Sequence, residues 1–162
     1  MLKEIYHSTY EITPQTMAVL SDRDSYGNIQ SRILEQQQEY IVRDKPLKII
    51  DYACKFFGKS LRGLQDGTKS VCGITHKAPL AIEHHSGMYF FPTASPTNPN
   101  CSWIAHSHVE QINSLGKKGV EVVFKNGQKV EIKVSIGIMQ NQVRRTAQYR
   151  YLLGSRFDKI FS

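Results

Sequence analysis

The segment Val120-Glu121-Val122-Val123-Phe124-Lys125-Asn126-Gly127-Gln128-Lys129-Val130-Glu131-Ile132 constrains this chain more than any other. Two runs of alternating apolar and polar residues flank Asn-Gly, a dipeptide that accepts the positive φ of tight hairpin turns. Side chains alternate faces along a strand, so each run has one face to bury. The pattern predicts an antiparallel hairpin packed against a core.

Other stretches extend the sheet. Met17-Ala18-Val19-Leu20 and Glu39-Tyr40-Ile41-Val42 read as short strands, and Arg32-Ile33-Leu34 as a weaker one. Leu80-Ala81-Ile82 and Met88-Tyr89-Phe90-Phe91 suggest a second hairpin around His84-His85-Ser86-Gly87. Pro92, Pro96 and Pro99 make the next stretch a loop, and Trp103 to Ile112 reads as one strand. Asp44-Lys45-Pro46 is a helix entry, since proline in the first turn forfeits no hydrogen bond. That helix is expected over about 46–62, and a second over about 138–153. The fold class expected is α+β: a single domain, 1–162, of mostly antiparallel sheet with an amphipathic basic helix and a C-terminal helix.

Composition narrows the classes. A chain of 162 residues with 40% apolar and 22% charged side chains can bury a core, and is neither a disordered chain nor a coiled coil. Its longest apolar runs, Met88 to Phe91 among them, are far short of the ~18 residues that span a bilayer. The first residues carry Glu4 and Glu11 and no apolar run, so no signal peptide is expected. Cys54, Cys72 and Cys101, odd in number and widely spaced, point to a reducing compartment rather than a disulfide framework. A cytoplasmic domain is expected.

The charge is uneven. The total is +7, and most of the excess lies in residues 43–77, with eight basic and three acidic side chains, and 143–162, with five and one. On a continuous helix, Lys48, Tyr52, Lys55, Lys59 and Arg62 fall within roughly 80° of arc, opposite Ile50, Cys54, Phe57 and Leu61. Such a stripe is either a solvated face or a phosphate-contacting one. The tyrosine within it and the lack of i,i+4 glutamates favour phosphate. Lys69 and Lys77 complete the block. The second block holds Asn141, Arg144, Arg145 and Arg150, side chains suited to hydrogen-bonding phosphates and bases. The other reading of this helix is a polar terminal segment packed by Ile138, Val143 and Leu153. Residues 78–116 contain no Lys or Arg but include Tyr89, Phe90, Phe91 and Trp103, so they are either core or a self-association surface.

Catalytic candidates are sparse. His106 and His108 would share one strand face, but two ligands are too few for a metal and no CxxC or HExxH supplies more. A small metal- or thiol-dependent enzyme using His106, His108 and a cysteine is the alternative; paired carboxylates, phosphate-binding loops and nucleophile elbows have no candidate. No cofactor is expected.

The order of landmarks resembles the competence transcription factor (ComK) family. They are Lys45-Pro46-Leu47, Asp51, Cys54, Phe56-Phe57-Gly58, Gly67-Thr68, His76-Lys77, Pro79, Phe91-Pro92-Thr93, Pro99, Cys101, Trp103-Ile104, His106 and His108-Val109. Asn126-Gly127, Asn141-Gln142-Val143, Arg145-Thr146-Ala147 and Arg150 continue the series. The resemblance implies a DNA-binding activator of DNA-uptake genes that reads paired A/T-rich boxes, mainly through the minor groove. It also implies a homodimer or pair of dimers on double-stranded DNA at the nucleoid, with RNA polymerase as a further partner. Family members continue into a charged tail tied to adaptor-directed proteolysis, whereas this chain stops at Phe161-Ser162, so that control is not expected to carry over. A weaker likeness, of the hairpin followed by a helix with paired arginines, is to LytTR-type regulators, which would place loops in the major groove.

Overall fold

The computed structural model describes residues 2–5 and 10–162. Its strands are β1 Leu2–Ile5, β2 Thr16–Arg23, β3 Ile29–Glu35, β4 Glu39–Val42, β5 Leu80–Glu83, β6 Met88–Pro92, β7 Trp103–Ala105, β8 Val109–Ser114, β9 Val120–Phe124 and β10 Lys129–Ile132. Three helices, α1 Pro46–Phe56, α2 Leu61–Cys72 and α3 Ile136–Phe161, complete the α+β fold. A seven-stranded sheet runs β1-β4-β3-β2-β7-β6-β5, and a three-stranded sheet runs β10-β9-β8. Every pairing is antiparallel except β1 with β4.

The apolar runs in β2, β6 and β7 are unbroken because the large sheet is covered on both faces. Val19, Ile33, Phe90 and Trp103 face one side, where Ile49, Ile50, Ala53 and Cys54 of α1 close a core. Leu20, Leu34, Phe91 and Ile104 face the other, against Val120, Val122 and Phe124 of β9, Val130 and Ile132 of β10, and Met139 of α3. Successive residues thus serve opposite cores, as the two-residue period of a strand requires. A third cluster joins Tyr89 and Ala81 to Tyr149 of α3 and Val71 of α2. Tyr89, Phe90, Phe91 and Trp103 are all buried, so these aromatics form the core and offer no self-association surface.

The expected hairpin is present with a three-residue loop. Phe124 O accepts from Gly127 N at 2.9 Å, Phe124 N donates to Gln128 O at 2.8 Å, and Gly127 takes φ +90°. That is a turn followed by a left-handed residue, and the glycine supplies the latter without strain.

Three elements differ from the sequence expectation. The helix expected over 46–62 is two helices. Gly58 at φ +74° ends α1, with Gly58 N on Lys55 O and Lys59 N on Cys54 O, both at 2.9 Å. Ser60 then caps α2 by accepting from Gly63 N at 2.9 Å. The strand expected from Trp103 to Ile112 is interrupted by a 3-10 turn at His106–His108, where the chain leaves the large sheet for the small one. The last helix begins at the Ser135 cap and runs past Leu153 to Phe161. Its final turns are held where Phe157 stacks on His84, with ring centroids 4.6 Å apart.

Candidate nucleic-acid interface

The break between α1 and α2 redistributes the basic stripe. Lys48 and Lys55 stay on α1, but each has an acidic partner one turn earlier: Lys48 Nζ lies 3.3 Å from Asp44 and Lys55 Nζ 2.9 Å from Asp51. The stripe is therefore neither continuous nor free of acids, because aspartates at i−4 do what the missing glutamates would have done. Lys59, in the linker, donates from Nζ to Ile82 O at 2.9 Å. Ile82 belongs to β5, the edge strand of the large sheet, so this lysine covers a backbone acceptor there.

Arg62 and Lys69 lie two turns apart on α2, and the helix directs both into one open groove. The loop after α2 adds Thr75, His76 and Lys77 to the lining, with Ser95 and Pro96. The groove has a volume of about 980 Å³. Arg62, Lys69 and Lys77 form no salt bridge among the described residues. Of the two carboxylates along the groove, Asp51 is engaged by Lys55, and Asp66 alone faces the three cations. Three cations thus line the groove against one carboxylate without an ion pair.

α3 is tied to the loop that lines this groove through two side chains. Gln142, 1% exposed, donates from Nε2 to Lys77 O at 2.9 Å and to Pro92 O at 2.7 Å. Arg145 donates to Gln142 Oε1 and, at 2.6 Å, to His76 O. The outer face of α3 carries exposed Asn141 and Arg144, joined by Arg144 Nη2 to Asn141 Oδ1 at 3.1 Å. Arg150 points elsewhere, to Ser107 Oγ at 2.8 Å and His106 Nδ1 at 3.1 Å. Arg62, Lys69 and Lys77 thus share the α2 groove, and Arg145 is bonded to its loop, whereas Arg144 lines a separate groove with Arg150 and Lys125 on another face of α3. Lys48, Lys59, Arg144 and Arg150 do not line the α2 groove.

Gln142 and His76 were not among the expected site residues. The signal for Gln142 was its place in Met139-Gln142-Thr146-Tyr149, a helical spacing that puts two polar side chains on the buried face of α3. His76 has no comparable local signal, since only the fold brings its carbonyl to Arg145.

The histidines do not share a strand face. His106 and His108 occupy the 3-10 turn, with His108 Nε2 2.6 Å from Pro14 O and His106 beside Arg150. Burial, with Arg150 and Lys125 nearby, pushes His106 down to about 4. Burial pushes the Cys54 thiol up to about 11 and raises that of Cys101, the reverse of an activated nucleophile. Among the described residues no group of three His, Cys, Asp or Glu could hold a metal ion, and no helix is long and apolar enough to cross a membrane.

Comparison with known proteins agrees with the landmarks. The sequence profile of the family described as ComK protein matches residues 7–158. A protein of Bacillus subtilis (strain 168) described as a competence transcription factor is 39% identical over 150 residues, covering 93% of this chain and 78% of the relative. No solved structure matches.

Proposed function

The chain belongs to the ComK protein family, and from that premise we propose that it is a double-stranded-DNA-binding transcriptional activator of competence genes. The observation that carries the DNA reading is the groove in which Arg62, Lys69 and Lys77 converge without salt-bridge partners. Unpaired cations on a rigid helix and its adjoining loop suit a row of phosphates, which fix register without reading sequence.

Sequence preference then comes from A/T-rich boxes read in the minor groove. Narrow A-tract grooves attract guanidinium, and the exocyclic amine of G·C rejects it. Arg144 is an exposed guanidinium of α3, and Asn141 accepts a hydrogen bond from it. The protein acts as a homodimer or a pair of dimers on its site, in the cytoplasm at the nucleoid, and engages RNA polymerase there.

Selection of bound duplexes from a random pool tests the reading. Enrichment of paired A/T tracts, with binding that survives major-groove methylation, is the expected result. No enrichment, or binding abolished by major-groove methylation and untouched by minor-groove competitors, would sink it.

A further inference from the structure

Two α3 side chains hold one short loop. Lys77 has φ +50° and is, among the described residues, the one non-glycine residue in the left-handed region. A lysine there is strained, and such strain persists only where surrounding contacts over-determine the backbone. The contacts come from α3. The Gln142 amide spends both N–H groups on the Lys77 and Pro92 carbonyls and its oxygen on Arg145. Arg145 spends a second nitrogen on the His76 carbonyl. Gln142 is thereby satisfied on every side though buried, and it ties the loop to the end of β6 as well as to α3. Beyond the loop, Ala78 is buried and Thr68 Oγ1 donates to Pro79 O at 2.7 Å, so the downstream end is fixed too.

We infer that Gln142 and Arg145 are positioning residues that hold the His76–Lys77 backbone in its strained form, so that these two side chains line the groove with Arg62 and Lys69. Arg145 then acts on DNA through the loop rather than by touching it. This rests on the DNA-binding reading above. It reassigns a residue that sequence alone presents as one hydrogen-bonding phosphates or bases.

The test uses the full chain, with two duplexes of equal length, one carrying A/T tracts and one G·C-rich. In DNA-free protein, Arg145→Ala should raise amide hydrogen exchange at His76, Lys77 and Ala78 by about tenfold or more while distant strands stay protected. Its affinity for both duplexes should fall by a common factor, leaving the A/T preference intact. Combined with Lys77→Ala, the two losses should be strongly non-additive, because both remove the same contact. Arg145→Lys, which keeps the charge but not the forked donor, covers the case in which the alanine variant fails to fold. It should share the exchange defect in part. Additive losses with an undisturbed loop would mean that Arg145 touches DNA itself, and the inference would be wrong. Raised loop exchange with full DNA affinity would overturn it equally. If the unaltered chain binds neither duplex, the DNA reading fails, while the exchange result still reports on the clamp.

Discussion

The Arg150 guanidinium is centred 4.9 Å from the centroid of the Tyr89 ring, and its Nη1 bonds Ser107 Oγ. Ser107 Oγ in turn donates to Gly87 O at 2.8 Å, so one cation ties α3 to the β5–β6 turn and to the point where the chain changes sheets. Tyr89 continues the chain of contacts, its hydroxyl 2.6 Å from His84 Nδ1.

Arg150→Ala should therefore act on stability first. Charge-assisted hydrogen bonds and a stacked cation lost together predict a decrease of about 2–3 kcal/mol. The His106 pKa should rise in the same variant, because a nearby positive charge no longer opposes protonation. Urea unfolding measures the first effect and an NMR titration of the imidazole the second. A normal urea midpoint would show that Arg150 is free for another role.

Stability should fall with acidification through a defined window. His106 is depressed from 6.5 to about 4, and His84 is lowered by burial and by His85 beside it. The unfolded chain therefore binds protons that the folded protein resists. The contribution is fully present above pH 6.5 and is lost as pH falls through that value toward 4. Discounted for the solvent exposure of His106, the loss is about 1–2 kcal/mol. His106→Gln should flatten the stability profile between those limits, as thermal unfolding at several pH values would record.

Gly119 marks a place where no side chain fits. An added Cβ would lie 2.2 Å from Ile132 O and 3.0 Å from Lys133 Cα, at φ +115°. Both obstacles are backbone and neither can swing aside. Gly119→Ala should cost about 3 kcal/mol or more by displacing β10 from β9. Loss of amide protection across Val120–Ile132 is the accompanying signature, and a variant as stable as the parent would contradict this account.

The elements legible in the sequence are those fixed by local chemistry. Asn126-Gly127 declares its hairpin, and the β-branched and aromatic runs declare strands covered on both sides. The break between α1 and α2 was also written locally, in Gly58 and Ser60. It was obscured because Ile50, Cys54, Phe57 and Leu61 keep helical spacing across the gap, so periodicity outweighed punctuation. Trp103 to Ile112 misleads in the same way, since apolar residues on both sides of His106–His108 hide a change of sheet. The candidate site is legible only as charge. Arg145 and Arg150 resemble Arg144 in the string of residues, and only contacts with His76 and Ser107, 69 and 43 positions away, distinguish them.

The basic residues should separate into two groups when their salt dependence is measured. If Arg62 and Lys69 contact phosphates, each displaces about one condensed counterion, and replacing either with alanine should lower the log–log salt slope by about 1. With Lys77 also engaged and Lys55 contributing in part, the unaltered protein should show a slope of roughly −3 to −3.5 per protomer. Lys59 belongs to the same block of sequence and carries the same charge, but its ammonium is placed against Ile82 O on the edge of β5. Lys59→Ala should leave the slope unchanged and instead cost about 1–2 kcal/mol of stability, since a part-buried carbonyl loses its donor. Lys55 stands between the groups, because its ion pair with Asp51 at the groove must be surrendered before it can meet a phosphate. Its removal should reduce the slope by less than that of Arg62. Binding isotherms over a range of salt concentrations, paired with urea midpoints for each variant, give both coordinates. Equal slopes for the Lys59, Arg62 and Lys69 variants would remove the α2 groove as the phosphate-contacting face.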